Sequence, residues 1–223
     1  MQLDKRGCMN TPVPNRSNPY IGPRAFRSDE ILYGRDFETQ NLIDLIIARR
    51  IVLLHSPSGA GKTSLIQASL IPHLEQEEFK VMPVLRVNHE PDSDLGILSG
   101  VNRYIFSLLL SLEEGLPVDK RTSPHLLAGM TLSDYLTQYQ PMMGDQEFQV
   151  LIFDQFEEIL TIDPTDEANR EIFFNQVGDV LRSGDIWALF AMREDYCASL
   201  EPYLGKVPTG LKTRFRLNLL DKD

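Results

Sequence analysis

Residues 50–66 have the sequence RIVLLHSPSGAGKTSLI, in which an apolar run leads into a glycine-rich turn. The run at 50–55 predicts a buried β-strand, and a helix is expected from Lys62 to about Leu74. A strand, a glycine-rich turn and a helix in this order are the context that a phosphate-binding loop requires. The sequence therefore predicts a P-loop at 56–63, and with it a site for a nucleoside triphosphate.

The residue types in this loop suit an anionic ligand. Gly59 and Gly61 let the backbone curl around phosphate with its N–H groups pointing inward, and the helix N-terminus adds further donors. The Lys62 ammonium is expected to reach the β- and γ-phosphates, and the Thr63 hydroxyl to bind Mg²⁺. The residues expected to contact nucleotide here are Ser58, Gly59, Ala60, Gly61, Lys62, Thr63 and Ser64.

The loop departs from the usual pattern G-x-x-x-x-G-K-S/T at its first position. Ser56 stands where that pattern has glycine. Because serine is small, we expect the turn to form in spite of the substitution.

Composition and charge are those of an ordinary globular protein. The chain has 223 residues, of which 42% are hydrophobic and 24% charged, so it can bury a sizeable core in one large or two small domains. Its 32 acidic and 22 basic residues give a formal net charge of −10. This balance argues against a broad nucleic-acid-binding face, because such a face needs lysine and arginine to replace phosphate counterions.

Cysteine usage and the N-terminus predict a cytoplasmic protein, or the cytoplasmic part of one. Cys8 and Cys197 form no metal-binding or disulfide pattern, so free thiols in a reducing compartment are expected. Residues 1–17 are polar and predict a flexible leader, whereas a secretory signal would carry an apolar stretch. No run is long enough to predict a membrane segment.

Strand-like and helix-like stretches alternate along the rest of the chain. A helix from Asp36 carries Phe37 and Leu42 at positions expected to face the core, and Pro83 predicts an edge strand or a bulge. The alternation predicts an α/β protein with a parallel sheet covered on both faces, whose ligands bind at the carboxyl ends of the strands. Further strands are predicted at 80–87, 149–154, 186–192 and 214–219.

Residues 149–158 read QVLIFDQFEE, an apolar strand that runs into acidic residues. We expect Asp154 to hold Mg²⁺ through a water molecule, opposite Thr63. Glu157 and Glu158 follow on the next turn, and either of them is expected to orient or deprotonate the attacking water. The alternative for both glutamates is a solvated first helical turn, where acidic residues are favoured.

Arg193 stands at the end of the strand predicted at 186–192. Its guanidinium is expected to contact the γ-phosphate and to stabilise the charge that develops there. The alternative is an ion pair with Glu194, with Asp195 or with the region of Asp154. In either case the predicted strand ends at Ser56, Asp154 and Arg193 should meet at one edge of the sheet.

The ordered set of motifs resembles the STAND class of signal-transducing NTPases, which is related to the AAA+ and NACHT groups. The likeness is closest to the bacterial novel STAND branch and covers about residues 18–220. A P-loop alone is shared by many families, whereas the ordered set is much more specific. The matching elements are PYIGPRAF at 19–26, YGR at 33–35, the P-loop at 56–63, DQFEE at 154–158, and Arg193.

This resemblance implies a P-loop NTPase domain over 18–223, folded as a three-layer α/β/α sandwich with a five-stranded parallel sheet of order 5-1-4-3-2. The segment 18–36 would lie on the adenine side of the core at 37–223, with Tyr20, Gly34 and Arg35 near the base. ATP is therefore expected over GTP. In agreement, the guanine-reading pattern Asn/Thr-Lys-x-Asp does not occur in the sequence.

The resemblance also implies a switch that ADP holds closed and that ATP opens for assembly. We expect a slow ATPase that uses ATP or ADP with Mg²⁺ and forms homo-oligomers with ATP in the context of a longer protein. Protein partners or effector domains, in signalling or bacterial defence, would follow from this. The family's lid, effector and sensor domains are not recognised in the sequence, which suggests an excised nucleotide domain or a minimal member. The alternative function is a scaffold that binds ATP but hydrolyses it poorly.

Overall fold

A computed structural model of the chain describes residues 30, 32–89, 100–139, 148–182 and 184–220. The leader predicted at 1–17 lies outside these residues. The PYIGPRAF element at 19–26, and with it Tyr20, also lies outside them.

Strands and helices alternate, as the sequence predicts. The strands are β1 Ile51–Ser56, β2 Lys80–Val81, β3 Gln149–Phe153, β4 Ile186–Arg193 and β5 Arg214–Arg216. The α-helices are α1 Asp36–Arg49, α2 Lys62–Leu65, α3 Ile71–Gln76, α4 Arg103–Glu114, α5 Pro124–Leu127, α6 Leu132–Tyr139, α7 Glu158–Thr161 and α8 Glu167–Arg182. A π-helical turn, Ile66–Leu70, joins α2 and α3, and 3₁₀ segments occupy Val118–Lys120, Glu194–Lys206 and Pro208–Leu211. No helix among the described residues is long and apolar enough to cross a bilayer.

The five strands form one sheet in the order β2-β3-β4-β1-β5, and every neighbouring pair is parallel. Read from the opposite edge, this is the order 5-1-4-3-2, which is thereby confirmed. Since β4 lies between β1 and β3, the ends of these three central strands lie side by side. Ligands of open parallel sheets bind at such a place.

Alternate residues of the central strands enter two separate cores on opposite faces of the sheet. Leu53 and Phe153 pack with apolar residues of α4, α6 and α8. Leu54 and Ile152 pack with α1 and with the helix that follows the P-loop. Burial on both faces explains why these strands read as continuous apolar runs. The three-layer α/β/α arrangement is confirmed.

The strand predicted at 80–87 is shorter than expected. β2 pairs with β3 only over Lys80–Val81, and pairing resumes in one isolated bridge between Leu85 and Phe153. Pro83 lies between the two pairings and has no N–H to donate, which breaks the ladder. β2 is an edge strand of the sheet, which is one of the two alternatives that Pro83 predicted.

The prediction that Phe37 faces the core is wrong, because Phe37 is 77% exposed. The buried face of α1 contains Thr39, Leu42, Ile43 and Ile46. Phe37 precedes Leu42 by five positions, which places the two side chains about 140° apart around a helix. Thr39 takes the inward position and hydrogen-bonds through Oγ1 to Ser69 Oγ at 3.0 Å.

Gly178 marks the closest approach of α8 to the 3₁₀ segment after β4. A Cβ atom at this position would lie 2.0 Å from the carbonyl oxygen of Lys206. Gly178→Ala must therefore separate the two backbones, and we expect it to lower the free energy of unfolding by about 1–3 kcal/mol. Urea denaturation measures this change.

Gly205→Ala is the matched control for Gly178→Ala. Apart from the residues next to Gly205 in sequence, no atom of the described residues lies within 4 Å of a Cβ at this position. This variant should change stability by less than about 0.5 kcal/mol. Equal losses in the two variants would contradict the close approach at Gly178.

Candidate nucleotide site

The carboxyl ends of three strands meet at one edge of the sheet. Ser56 ends β1 and lies opposite Arg193, the last residue of β4. Asp154 directly follows β3. The hydroxyl of Thr63 donates a hydrogen bond to Asp154 Oδ2 at 2.9 Å, so the P-loop helix contacts the end of β3. The sequence thus located this edge correctly.

The P-loop has the left-handed backbone that its glycines predict. Gly59 has φ +79° and Gly61 has φ +90°, values that residues with a Cβ rarely adopt. The residue at the N-cap of the helix that begins at Lys62 is Gly61, which has no side chain to cap it. The N–H groups of its first turn are therefore in the position from which a helix N-terminus binds phosphate.

Lys62 is held by the residue that departs from the P-loop pattern. Its Nζ donates a hydrogen bond to Ser56 Oγ at 2.8 Å, and this hydroxyl in turn donates to the carbonyl of Pro57 at 2.8 Å. Glycine offers no such acceptor. Burial lowers the pKa of the Lys62 ammonium, and the nearby charge of Glu157 partly opposes that effect. The turn thus forms with Ser56, whose hydroxyl also positions the lysine.

Thr63 and Asp154 present oxygen atoms suited to a hard divalent cation. Asp154 is 1% exposed, and its Oδ1 lies 3.2 Å from the Thr63 hydroxyl in addition to the shorter contact at Oδ2. Among the described ranges, no group of three or more His, Cys, Asp or Glu residues could hold a metal ion. The fit to Mg²⁺ therefore depends on this hydroxyl and carboxylate together with nucleotide phosphates, which is the usual ligand set of a P-loop.

Glu157 and Glu158 are adjacent in sequence but have different surroundings. Glu157 Oε2 accepts a hydrogen bond from the backbone N–H of Arg193 at 3.2 Å. Among the described residues, Glu157 is the charge that most raises the pKa of Lys62. Glu158 Oε2 is buried and has no hydrogen-bond partner among the described residues. Burial raises the pKa of Glu158, and Arg86 is the charge that most opposes this shift. Glu157 therefore lies toward the P-loop, whereas Glu158 lies toward Arg86.

The guanidinium of Arg193 is paired within its own turn. It forms an ion pair with Asp195 and lies 5.4 Å from the ring centroid of Tyr196. This is the ion pair that the sequence offered as the alternative to a phosphate contact. The side chain is 39% exposed at the carboxyl edge of the sheet. Its role toward the γ-phosphate stays a prediction.

Arg35 supports the P-loop from the N-terminal side. Its side chain is buried, with Nη2 donating to the carbonyls of Ala60 at 3.1 Å and Asn218 at 2.7 Å. Nη1 pairs with Glu38 at 2.6 Å. Gly34 precedes it with φ +75°. Arg35 thus ties the loop to the segment after β5, and the adenine-side role of Gly34 and Arg35 stays a prediction.

Arg86 is a site residue that the sequence reasoning missed. Its Nη2 donates to Asp154 Oδ2 at 3.0 Å, and its Nη1 donates to Gln155 Oε1 at 2.6 Å. The one available signal was its place near the end of the strand predicted at 80–87. A charged residue there lies at the same sheet edge as Asp154.

Comparison with known proteins agrees with this geometry. The family described as novel STAND NTPase 1 matches residues 19–218. The chain belongs to this family. Membership confirms the resemblance drawn from the ordered motifs and makes the protein a novel STAND NTPase. No curated protein sequence matches it significantly.

Solved structures resemble this novel STAND NTPase in fold. The ORC2 protein of Aeropyrum pernix, in its ADPNP–ADP complexes, has a TM-score of 0.57 at 15% identity, over 86% of this chain and 50% of that chain. A Walker-type ATPase of Pyrococcus abyssi has a TM-score of 0.55 at 12% identity, over 91% and 58%. Drosophila ORC bound to poly(dA/dT) DNA and Cdc6 has a TM-score of 0.51 at 12% identity, over 82% and 28%. The chain thus spans about half the length of the first two, and such identities show the fold alone.

Proposed function

We propose that this domain binds ATP with Mg²⁺, hydrolyses it slowly and acts as a signal-transduction switch that couples nucleotide state to oligomerisation. The observation that carries the proposal is the 2.9 Å contact between Thr63 Oγ1 and Asp154 Oδ2. It brings together the two protein groups that a P-loop offers to magnesium. Membership of an NTPase family and the nucleotides in the ORC2 structure support the same conclusion.

In this mechanism the chain's own groups mostly position the reactants and stabilise charge. The N–H groups of the loop and the Lys62 ammonium bind the phosphates. Thr63 and Asp154 would hold Mg²⁺, which would neutralise charge on the phosphate oxygens. Glu157, near Lys62 and tied to Arg193, orients or deprotonates the attacking water. Arg193 exchanges Asp195 for the terminal phosphate and stabilises its developing charge.

The adenine side and the switch belong to the same proposal. The segment 18–36, with Tyr20, Gly34 and Arg35, covers the base and favours ATP over GTP. Arg35 supports this arrangement because its guanidinium donates a hydrogen bond to the carbonyl of Ala60 in the P-loop. Assembly with ATP, in the context of a longer protein with partner or effector domains, follows from the family.

A single-turnover experiment tests the enzymatic part of this proposal. The purified chain, in excess over radiolabelled ATP with Mg²⁺, should retain ATP and release phosphate slowly. Retained ATP without phosphate release over hours would favour the scaffold instead. Failure to retain any nucleotide would contradict both functions.

Light scattering tests the switch separately from the chemistry. The molar mass measured in ATP with Mg²⁺ should exceed that of a monomer. The molar mass measured in ADP should equal that of a monomer. The same mass in both nucleotides would remove oligomerisation from the proposed function of this domain and leave hydrolysis unaffected.

A further inference from the structure

Asp154 has an ion-pair partner before any metal ion is considered. Its carboxylate is 1% exposed, and a buried carboxylate is costly unless a positive charge or several hydrogen bonds compensate it. Arg86 Nη2 lies 3.0 Å from Oδ2, the oxygen that also has the shorter contact with the Thr63 hydroxyl. The guanidinium is therefore already paired with the carboxylate that the proposed function assigns to the metal.

The backbone of Arg86 is firmly anchored at this place. Its carbonyl accepts a hydrogen bond from Ser107 Oγ at 2.8 Å, and its N–H donates to Ser111 Oγ at 3.2 Å. Both serines lie on α4 and are fully buried. Next to Arg86, the carbonyl of Leu85 accepts the N–H of Asp154 at 3.0 Å. The arginine is thus presented to Asp154 by the sheet and by α4 together.

Gln155 completes a two-pronged contact with the guanidinium. Its Oε1 accepts a hydrogen bond from Arg86 Nη1 at 2.6 Å. Gln155 has φ +55°, a left-handed backbone conformation that is rare for residues other than glycine. Beside this turn lies Glu158, whose buried Oε2 has no hydrogen-bond partner within the described ranges. Among the described residues, Arg86 is the charge with the strongest effect on the pKa of Glu158. A second acceptor for the guanidinium is therefore available nearby.

We propose that Arg86 is the resident counter-ion of Asp154, a positioning residue that limits how tightly the site binds a divalent cation. The inference rests on the proposed function, since it assumes that Asp154 is the metal-side carboxylate. A guanidinium on Oδ2 repels an incoming cation and competes for the same oxygen. The Arg86 side chain is 29% exposed, so it is not fully enclosed on Asp154 and can shift when the cation arrives. Without a metal ion the carboxylate is thus balanced by the guanidinium, at the expense of metal affinity.

Removal of this positive charge should strengthen metal binding. Arg86→Met keeps most of the aliphatic stem, and Arg86→Gln is a second neutral variant that retains amide donors. Each should tighten binding of a divalent cation by about tenfold, given the repulsion between like charges a few ångströms apart in a partly buried site. Arg86→Lys keeps the charge and should restore affinity close to that of the wild type.

Two titrations of the full chain measure the effect. The first titration uses electron paramagnetic resonance to measure how Mn²⁺ alone binds to the nucleotide-free protein. The second compares calorimetric ADP affinity in Mg²⁺ with that in EDTA, and the ratio of the two affinities should rise about tenfold in both neutral variants. Arg182→Met is the control. Arg182 ends α8 just before β4 begins, so it lies at the amino ends of the strands, opposite to Asp154. Its side chain is 50% exposed.

A gain in affinity cannot arise from misfolding, which makes the direction of the effect decisive. Unchanged or weaker Mn²⁺ binding in both neutral variants would overturn the counter-ion role, as would an equal gain in the Arg182 control. If the wild type binds no ADP, the proposed function fails. The Mn²⁺ titration still decides the role of Arg86 in that case.

Discussion

Lys62→Ala should weaken binding of Mg²⁺–ADP and Mg²⁺–ATP by about 100-fold or more, because it removes the charge-assisted hydrogen bonds that the ammonium offers to phosphate. The effect should be large because Lys62 is partly desolvated in the loop. Burial already lowers its pKa, and its Nζ has one hydroxyl partner at 2.8 Å, Ser56. Phosphate oxygens are stronger acceptors for an ammonium than this hydroxyl is. Isothermal titration calorimetry measures the loss directly.

Lys212→Ala is the matched control for Lys62→Ala. Lys212 is exposed and lies just before β5, at the amino ends of the strands. Lys212→Ala therefore removes the same charge on the side of the sheet opposite to the P-loop. Its affinity for nucleotide should equal that of the wild type. Thermal unfolding should show that Lys62→Ala remains folded, since the substitution removes a partly buried charge whose desolvation is unfavourable. Wild-type affinity in folded Lys62→Ala would contradict the P-loop assignment.

The parts of this site that the sequence predicted are those encoded by contiguous residues. The P-loop needs its glycines, Lys62 and Thr63 within one short stretch, between a strand and a helix. The apolar run before Asp154 identifies β3 for a similar reason, because a strand buried on both faces has few polar residues. Since parallel strands end at one edge, the meeting of Asp154 with Thr63 followed from these local patterns.

The contacts that the sequence did not predict join distant residues. Arg86 contacts Asp154 across 68 positions of sequence, and Arg35 contacts the carbonyl of Asn218 across 183. An isolated arginine carries no local sign of such a partner. Phe37 shows the converse limit, since its apolar side chain is exposed on a helix whose buried face begins at Thr39. Neighbours in space, which the local pattern does not contain, decided each of these outcomes.

The two acidic residues after Asp154 also could not be separated from the sequence, and the structure now gives them different expected effects. Glu157→Gln should lower single-turnover hydrolysis by about 100-fold or more while ATP stays bound, because the amide cannot accept a proton from water. Its side-chain oxygen can still accept the N–H of Arg193, as Glu157 Oε2 does at 3.2 Å. The local geometry should therefore persist, and retained ATP can be counted by mass spectrometry of the purified protein.

Glu158→Gln should lower hydrolysis by less than about tenfold, below the range that general bases contribute. Burial raises the pKa of Glu158, so a neutral amide of the same shape removes a charge whose burial is unfavourable. Among the described residues, Arg86 rather than Lys62 is the cation that most affects the pKa of Glu158. Measured under identical single-turnover conditions, a large loss in Glu158→Gln with normal turnover in Glu157→Gln would exchange the two roles. Equal turnover in wild type and both variants would contradict catalysis by either acid.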